Sequence, residues 1–196
     1  MSKFIAFEGL DGSGSSTQIN LLSDHLSKKW LKVYTTKEPT NNLIGGLVRG
    51  QLTKQWRSSQ TCLQLLFSAD RAHHLEIEIE PALKKGNIVL TDRYMLSTFA
   101  FGSIDGLEIG WLEEMNKHFR KPDLTILLKV PPAECIARIN KSRNGAELFE
   151  EVKKLEKVWN NYEILAERHE NVVIIDGTLD ADKVHKLIVK EVEKVL

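Results

Sequence analysis

Five short apolar runs, each followed by a segment with helical spacing, constrain this chain more than any other feature. The runs are residues 3–8, 33–37, 87–91, 123–130 and 171–176. Three of them (NIVLT, DLTILLKV and NVVIID) lack the polar alternation of a half-exposed strand, so both of their faces need cover. Between them lie helical patterns. Residues 16–30 carry Ile19, Leu22 and Leu26 at helical spacing, and 43–52 form a short helix. A long helix starts near Thr61 and runs through LQLLFSADRAHHLEIEIE, with Pro81 expected to restart or kink it before Gly86. Residues 133–140, 148–167 and 182–196 complete the series. The alternation predicts an α/β fold, a five-stranded parallel sheet with helices on both faces. The 196 residues suit one domain spanning 1–196, and no repeat or low-complexity tract marks a boundary within it. Ligands of such sheets bind at the carboxyl ends of the strands. Function is therefore expected just after Glu8, Lys37, Asp92, Val130 and Asp176.

Charge and cysteine usage narrow the partners. Lys plus Arg equals Asp plus Glu at 27 each, and a zero net charge argues against a general binder of nucleic acid. Cys62 and Cys135 have no metal-ligand spacing and read as reduced, buried thiols. His73 and His74 are adjacent, so they do not share a helix face, and no third ligand stands at metal spacing. No apolar run reaches membrane-spanning length, and the N-terminus enters a strand without a basic leader. A cytoplasmic location with no membrane partner is the expectation.

The turn after the first strand reads Gly9-Leu10-Asp11-Gly12-Ser13-Gly14-Ser15-Ser16-Thr17. It meets the phosphate-loop (P-loop) pattern G-x-x-x-x-G-K-[ST] at Gly9, Gly14 and Ser16, with Ser15 where lysine belongs. Glycines allow backbone N–H groups to wrap an anion, and the helix that follows adds its positive end. Ser16 holds the position whose hydroxyl joins a Mg²⁺ shell. At position 15 a lysine would place a positive charge on the β- and γ-phosphates, whereas serine offers a neutral hydrogen bond about half as strong.

Beyond this loop, ordered motifs resemble the thymidylate kinase family over nearly the whole chain. FEGLDGSGSSTQ is similar to the family's first signature apart from Ser15. Thr36-Lys37-Glu38-Pro39, Leu66-Phe67-Ser68-Ala69-Asp70-Arg71 and Thr91-Asp92-Arg93-Tyr94 with Ser97 resemble the next three, and Lys121-Pro122-Asp123-Leu124 precedes the fourth strand as is typical. The resemblance implies a P-loop kinase that transfers the γ-phosphoryl group of ATP to dTMP, giving dTDP and ADP. Gly9, Asp11, Gly12, Ser13, Gly14, Ser15, Ser16 and Thr17 would lie at the donor phosphates, with Mg²⁺ on Ser16 and Asp92. Asp11 and Glu38 would also flank the acceptor's sugar and phosphate. Phe67 would stack on the base and Arg71 would bond its carbonyl, both on one face of a helix, while Tyr94, Ser97 and Phe101 would complete the pocket. Arg49 and Arg93 would hold acceptor and transferred phosphates.

The resemblance also implies a mobile lid at about residues 138–150 and a homodimer. Family members without an arginine in the phosphate loop tend to carry a catalytic one in the lid, and position 12 here is glycine. Arg138, Lys141 and Arg143 are then the cations to set against the loss at Ser15. The family's Asp-Arg-aromatic-Glu at the lid's end is Glu147-Leu148-Phe149-Glu150 here, so that arginine is missing too, and Arg138 and Arg143 bear the catalytic expectation. Two alternatives stay open at this point: a kinase of another pyrimidine nucleotide, and a weakly active nucleotide-binding relative.

Overall fold

The computed structural model describes residues 2–139 and 145–196. Its strands are β1 (Lys3–Gly9), β2 (Val33–Lys37), β3 (Ile88–Asp92), β4 (Leu124–Lys129) and β5 (Val172–Asp176). They form one parallel sheet in the order β2-β3-β1-β4-β5. The helices are α1 (Ser15–Lys28), α2 (Leu43–Leu52), α3 (Gln60–His74), α4 (Glu80–Lys84), α5 (Met95–Gly102), α6 (Ile109–Asn116), α7 (Pro132–Ile139), α8 (Gly145–Arg168) and α9 (Ala181–Glu193). The expected α/β fold is the observed one, and its layering follows from the strand period of two.

Phe4 and Ala6 point to one face of β1, where they join Tyr94, Leu96, Phe99, Val158 and Tyr162. Ile5 and Phe7 point to the other, where they meet Ile19, Leu22 and Leu26 of α1 and Val184, Ile188 and Val192 of α9. A strand buried on both faces needs an unbroken apolar run, which is why these strands do not alternate. β1 lies in the middle, with β2 and β3 to one side and β4 and β5 to the other. The crevice at its carboxyl end is where ligands bind in such sheets.

Three details refine the sequence reading, the first being the form that the expected restart at Pro81 takes. The long helix loses its α-ladder before Pro81, in a π-helical turn at Leu75–Ile79. A proline ring clashes with the carbonyl four residues earlier, here Ile77, and the widened turn gives that carbonyl room. The last long helix starts at Gly145, three residues earlier than expected. Finally, α5 and α6 carry no assignment in the sequence reading. Six of the eight residues of α5 are buried, so it has no polar face to reveal a period.

Candidate active site

The turn from β1 into α1 is built from left-handed glycines. Gly12 has φ 85° and Gly14 φ 95°, and no acidic side chain occupies the first turn of α1. The free N–H groups of that turn face a cavity of about 570 Å³ lined by the whole loop from Leu10 to Gln18, and by Lys37, Glu38, Asp92, Arg93, Arg138 and Gly177. A Cβ on Gly12 would lie 2.4 Å from the carbonyl oxygen of Cys135, so no side chain fits there.

Asp92 ends β3 beside this turn. Its two carboxylate oxygens accept hydrogen bonds from Ser15 Oγ at 2.8 Å and Ser16 Oγ at 2.6 Å. Ser15 thus turns its short side chain toward Asp92. A half-buried carboxylate flanked by hydroxyls, at the mouth of an anion-binding turn, is an all-oxygen donor set that suits a hard cation such as Mg²⁺.

Arg93 follows with φ 71°, in the left-handed region that costs a non-glycine residue about 1–3 kcal/mol. The surroundings fix it. Its N–H donates to Phe7 O at 2.8 Å, and its guanidinium donates to Asp11 at 2.7 Å and Ser97 Oγ at 2.9 Å, with the Phe101 ring 5.2 Å away. This backbone turn swings the side chain to the boundary between the first cavity and a second one of about 350 Å³. Asp11, Glu38 and Arg93 line both.

The second cavity lies over α3 and α5. Phe67, Arg71, Tyr94, Ser97, Thr98 and Phe101 are in its wall, together with Leu63, Gln64 and Ile104. Phe67 is half-buried there, outside the core clusters. Arg71 is only 1% exposed, so it is no solvated helix residue. It donates to Glu38 Oε2 through Nε at 3.0 Å and Nη2 at 2.6 Å, to Asn116 at 2.6 Å and to Thr98 at 3.0 Å. These bonds engage four of its five N–H groups. The other Glu38 oxygen pairs with His74 Nδ1 at 3.1 Å, and His74 Nε2 meets Thr36 Oγ1 at 2.7 Å. His74 is therefore a buried member of a polar network. Tyr94 is more core than wall: its ring packs edge-on against Phe4, and its hydroxyl donates to Arg120 O.

One expected residue stands elsewhere. Arg49 bonds the carbonyls of Pro39 and Thr40 and lines neither cavity, because α2 leaves its guanidinium turned back onto the chain that precedes the helix. Arg143, with Lys141, lies outside the described residues. Arg138 lines the first cavity, where its guanidinium donates to Glu134 at 2.6 Å and Gly177 O at 3.0 Å and reaches Ser13 O at 3.4 Å. Cys135 is buried and Cys62 half-buried, and both are free thiols.

Glu8 is a participant the sequence reading passed over. It is 1% exposed and accepts from the backbone N–H groups of Tyr94 and Ser97, from Ser97 Oγ and from the Tyr162 hydroxyl. Burial pushes its carboxyl up to about 7, against the pull of those hydrogen bonds and the nearby Arg93 charge. Its role is to seat the start of α5 behind Arg93. Thr98 and Asn116, both partners of Arg71, come from α5 and α6, helices without a periodic signal, whereas Gln64 joins the pocket wall from the expected helix α3.

The arrangement has known counterparts. The family described as "Thymidylate kinase" matches residues 7–188. A probable thymidylate kinase of Thermococcus onnurineus is 39% identical over 98% of each chain, and one of Pyrobaculum calidifontis is 38% identical over 98% of this chain and 97% of its own. The crystal structure of thymidylate kinase from Ehrlichia chaffeensis superposes with a TM-score of 0.78 at 25% identity, covering 96% of this chain and 97% of that one. With the motifs in their expected order and the same five-stranded P-loop architecture beneath them, the chain belongs to the thymidylate kinase family.

Proposed function

We propose that this protein transfers the γ-phosphoryl group of ATP to the 5′-phosphate of dTMP, giving dTDP and ADP. The observation that carries the reading is the boundary between the two cavities. Arg93, held by a strained backbone and paired to Asp11, lines both the phosphate-loop cavity and the pocket over α3. A planar guanidinium at that point can contact a donor phosphate on one side and an acceptor phosphate on the other.

The phosphate-loop N–H groups hold the donor phosphates. Ser16 and Asp92 would hold Mg²⁺, which when bound neutralises phosphate charge. An oxygen of the acceptor phosphate forms the new bond to the γ-phosphorus as the bond to the bridging oxygen breaks, and that electron pair stays on ADP. The attacking oxygen is already anionic, so positioning and charge neutralisation carry the rate without a strong base. In the second cavity Phe67 offers a face for the base, and the remaining N–H of Arg71 Nη1 offers a donor to a base carbonyl. Glu38 orients Arg71 rather than touching the phosphate. Ser97 and Phe101 position the Arg93 guanidinium and close the acceptor side. The lid at about 138–150, a homodimer and a cytoplasmic location belong to the same reading. Among the described residues no helix is long and apolar enough to cross a membrane.

Steady-state turnover with ATP and Mg²⁺ across dTMP, dUMP, UMP, CMP, GMP and AMP tests this. dTMP should exceed the purines in kcat/KM by at least about a hundredfold. Equal efficiency with AMP or GMP would remove the thymidylate assignment and leave the kinase class.

A further inference from the structure

Three cations line the phosphate-loop cavity: Lys37, Arg93 and Arg138. Two of them are committed. Arg93 is tied to Asp11 and Ser97, and Arg138 to Glu134 and the Gly177 carbonyl. Lys37 is exposed, and among the described residues its ammonium has no hydrogen-bond or ion-pair partner.

The sheet register explains why that matters. Lys37 is the last residue of β2, and its Cα stands opposite that of Asp92 across the parallel β2–β3 ladder, where neighbouring strands lie about 4.8 Å apart. The backbone just beyond is pinned, since Glu38 N–H donates to Asp92 O at 3.0 Å. Asp92 in turn holds the hydroxyls of Ser15 and Ser16. Lys37 is therefore one strand away from the carboxylate that holds Ser15, the residue that stands where a phosphate-loop lysine is expected. The loop itself has no room for a cation at Gly12, where a Cβ would collide with the Cys135 carbonyl.

We propose that Lys37 supplies, from the end of β2, the positive charge on the transferring phosphates that Ser15 does not provide. A lysine suits this role, because its ammonium is a compact charge on a flexible four-carbon stem, free to follow the phosphates once they enter. Lys37 also lines a neighbouring cavity whose wall includes Ser16 and Asp92 as well as Tyr34 and Glu78, so it borders the metal-binding residues from both sides. During transfer it keeps its proton. It neutralises the charge that builds on the γ-phosphoryl oxygens and on the bridging oxygen as the bond to ADP breaks.

This inference rests on the kinase reading above, and the experiment separates the two. The variants are Lys37→Met, Lys37→Arg, Ser15→Lys and the double variant K37M/S15K, with Lys186→Met on an exposed face of α9 as the charge control. Turnover of dTMP with ATP is measured alongside calorimetric binding of ADP and of a non-hydrolysable ATP analogue. Lys37→Met should lower kcat by about a hundredfold to a thousandfold, the range for loss of one preorganised transition-state group. The dTMP KM should stay near the wild-type value, and the analogue should lose affinity while ADP does not. Lys37→Arg should retain part of the rate, and S15K should restore at least about tenfold to K37M, because both ammonium groups address the same phosphates. Wild-type kcat in K37M, or strict additivity of K37M and S15K, would overturn the assignment of Lys37 while leaving the kinase intact. Absence of transfer by the wild type would overturn the kinase reading and the proposal with it.

Discussion

The two cavities that meet at Arg93 are built on opposite plans. On the acceptor side, charge is buried and already paired: Arg71 and Glu38 are nearly inaccessible and hold each other together with His74, Asn116 and Thr98. On the donor side, the phosphate loop is main chain and hydroxyls, and the cations around it are half-buried or exposed. The acceptor pocket is thus organised during folding, at a desolvation cost met by mutual pairing. The donor pocket keeps its charge nearer the surface, with Arg93 and Arg138 in partly exposed pairs and Lys37 in solvent. Loss of a group should therefore read out as instability on one side and as lost rate on the other.

The strongest test of that contrast is Asp92→Ala. Removing this carboxylate should lower kcat at least a thousandfold, roughly 4 kcal/mol in the barrier, because it takes away the donor that fits the metal. Its partners Ser15 and Ser16 can turn to water, so urea denaturation should show little change in stability. Wild-type rates, or a large fall in stability, would break the comparison on the donor side.

Arg71→Met tests the acceptor side. It leaves Glu38 buried without its main counter-charge, and breaking such a pair from one side costs about 3–4 kcal/mol. Denaturation should reveal that loss even without nucleotide. A variant as stable as the wild type would mean the pocket is not organised by folding in the way the geometry implies.

Glu8 marks how far the preorganised zone extends behind Arg93. Its carboxyl titrates near 7 in the native protein, against 4.5 as the unperturbed value. Between these values the native state keeps a proton that the unfolded chain has released. Stability should therefore decline as pH rises from 4.5 to 7, by at most about 3 kcal/mol from this group. Melting Glu8→Gln and the wild type across about pH 5–8 should give a flatter curve for the variant. Identical slopes would remove Glu8 from the titrating set.

Much of the architecture was legible because its physics is local. An apolar run between a glycine and a turn can be read residue by residue, and so can the Gly12–Gly14 loop. The same holds for the Asp92-Arg93 step at a strand end. What escaped was non-local. Glu8 finds Tyr162 across 154 positions, and Arg71 finds its partners on β2's exit and on α6. Helix α5, apolar on every side, gave no period from which its inward residues could be deduced. Arg49 shows the converse: the resemblance implies a phosphate contact, whereas its hydrogen bonds in this structure go to the carbonyls of Pro39 and Thr40. Lys37 was read as part of a motif and not as a charge, since its proximity to Ser15 exists only through the register of β2 with β3.

The glycine at position 12 has a consequence for anyone wishing to redesign this loop. Its left-handed backbone and the Cys135 carbonyl at its back make it a closed address, and an arginine could be installed there only by moving the start of α7. Position 15 is open by contrast, because it lies in the first turn of α1 and its side chain already looks across to β3. Between these two positions, a cation added to the loop is steered to position 15.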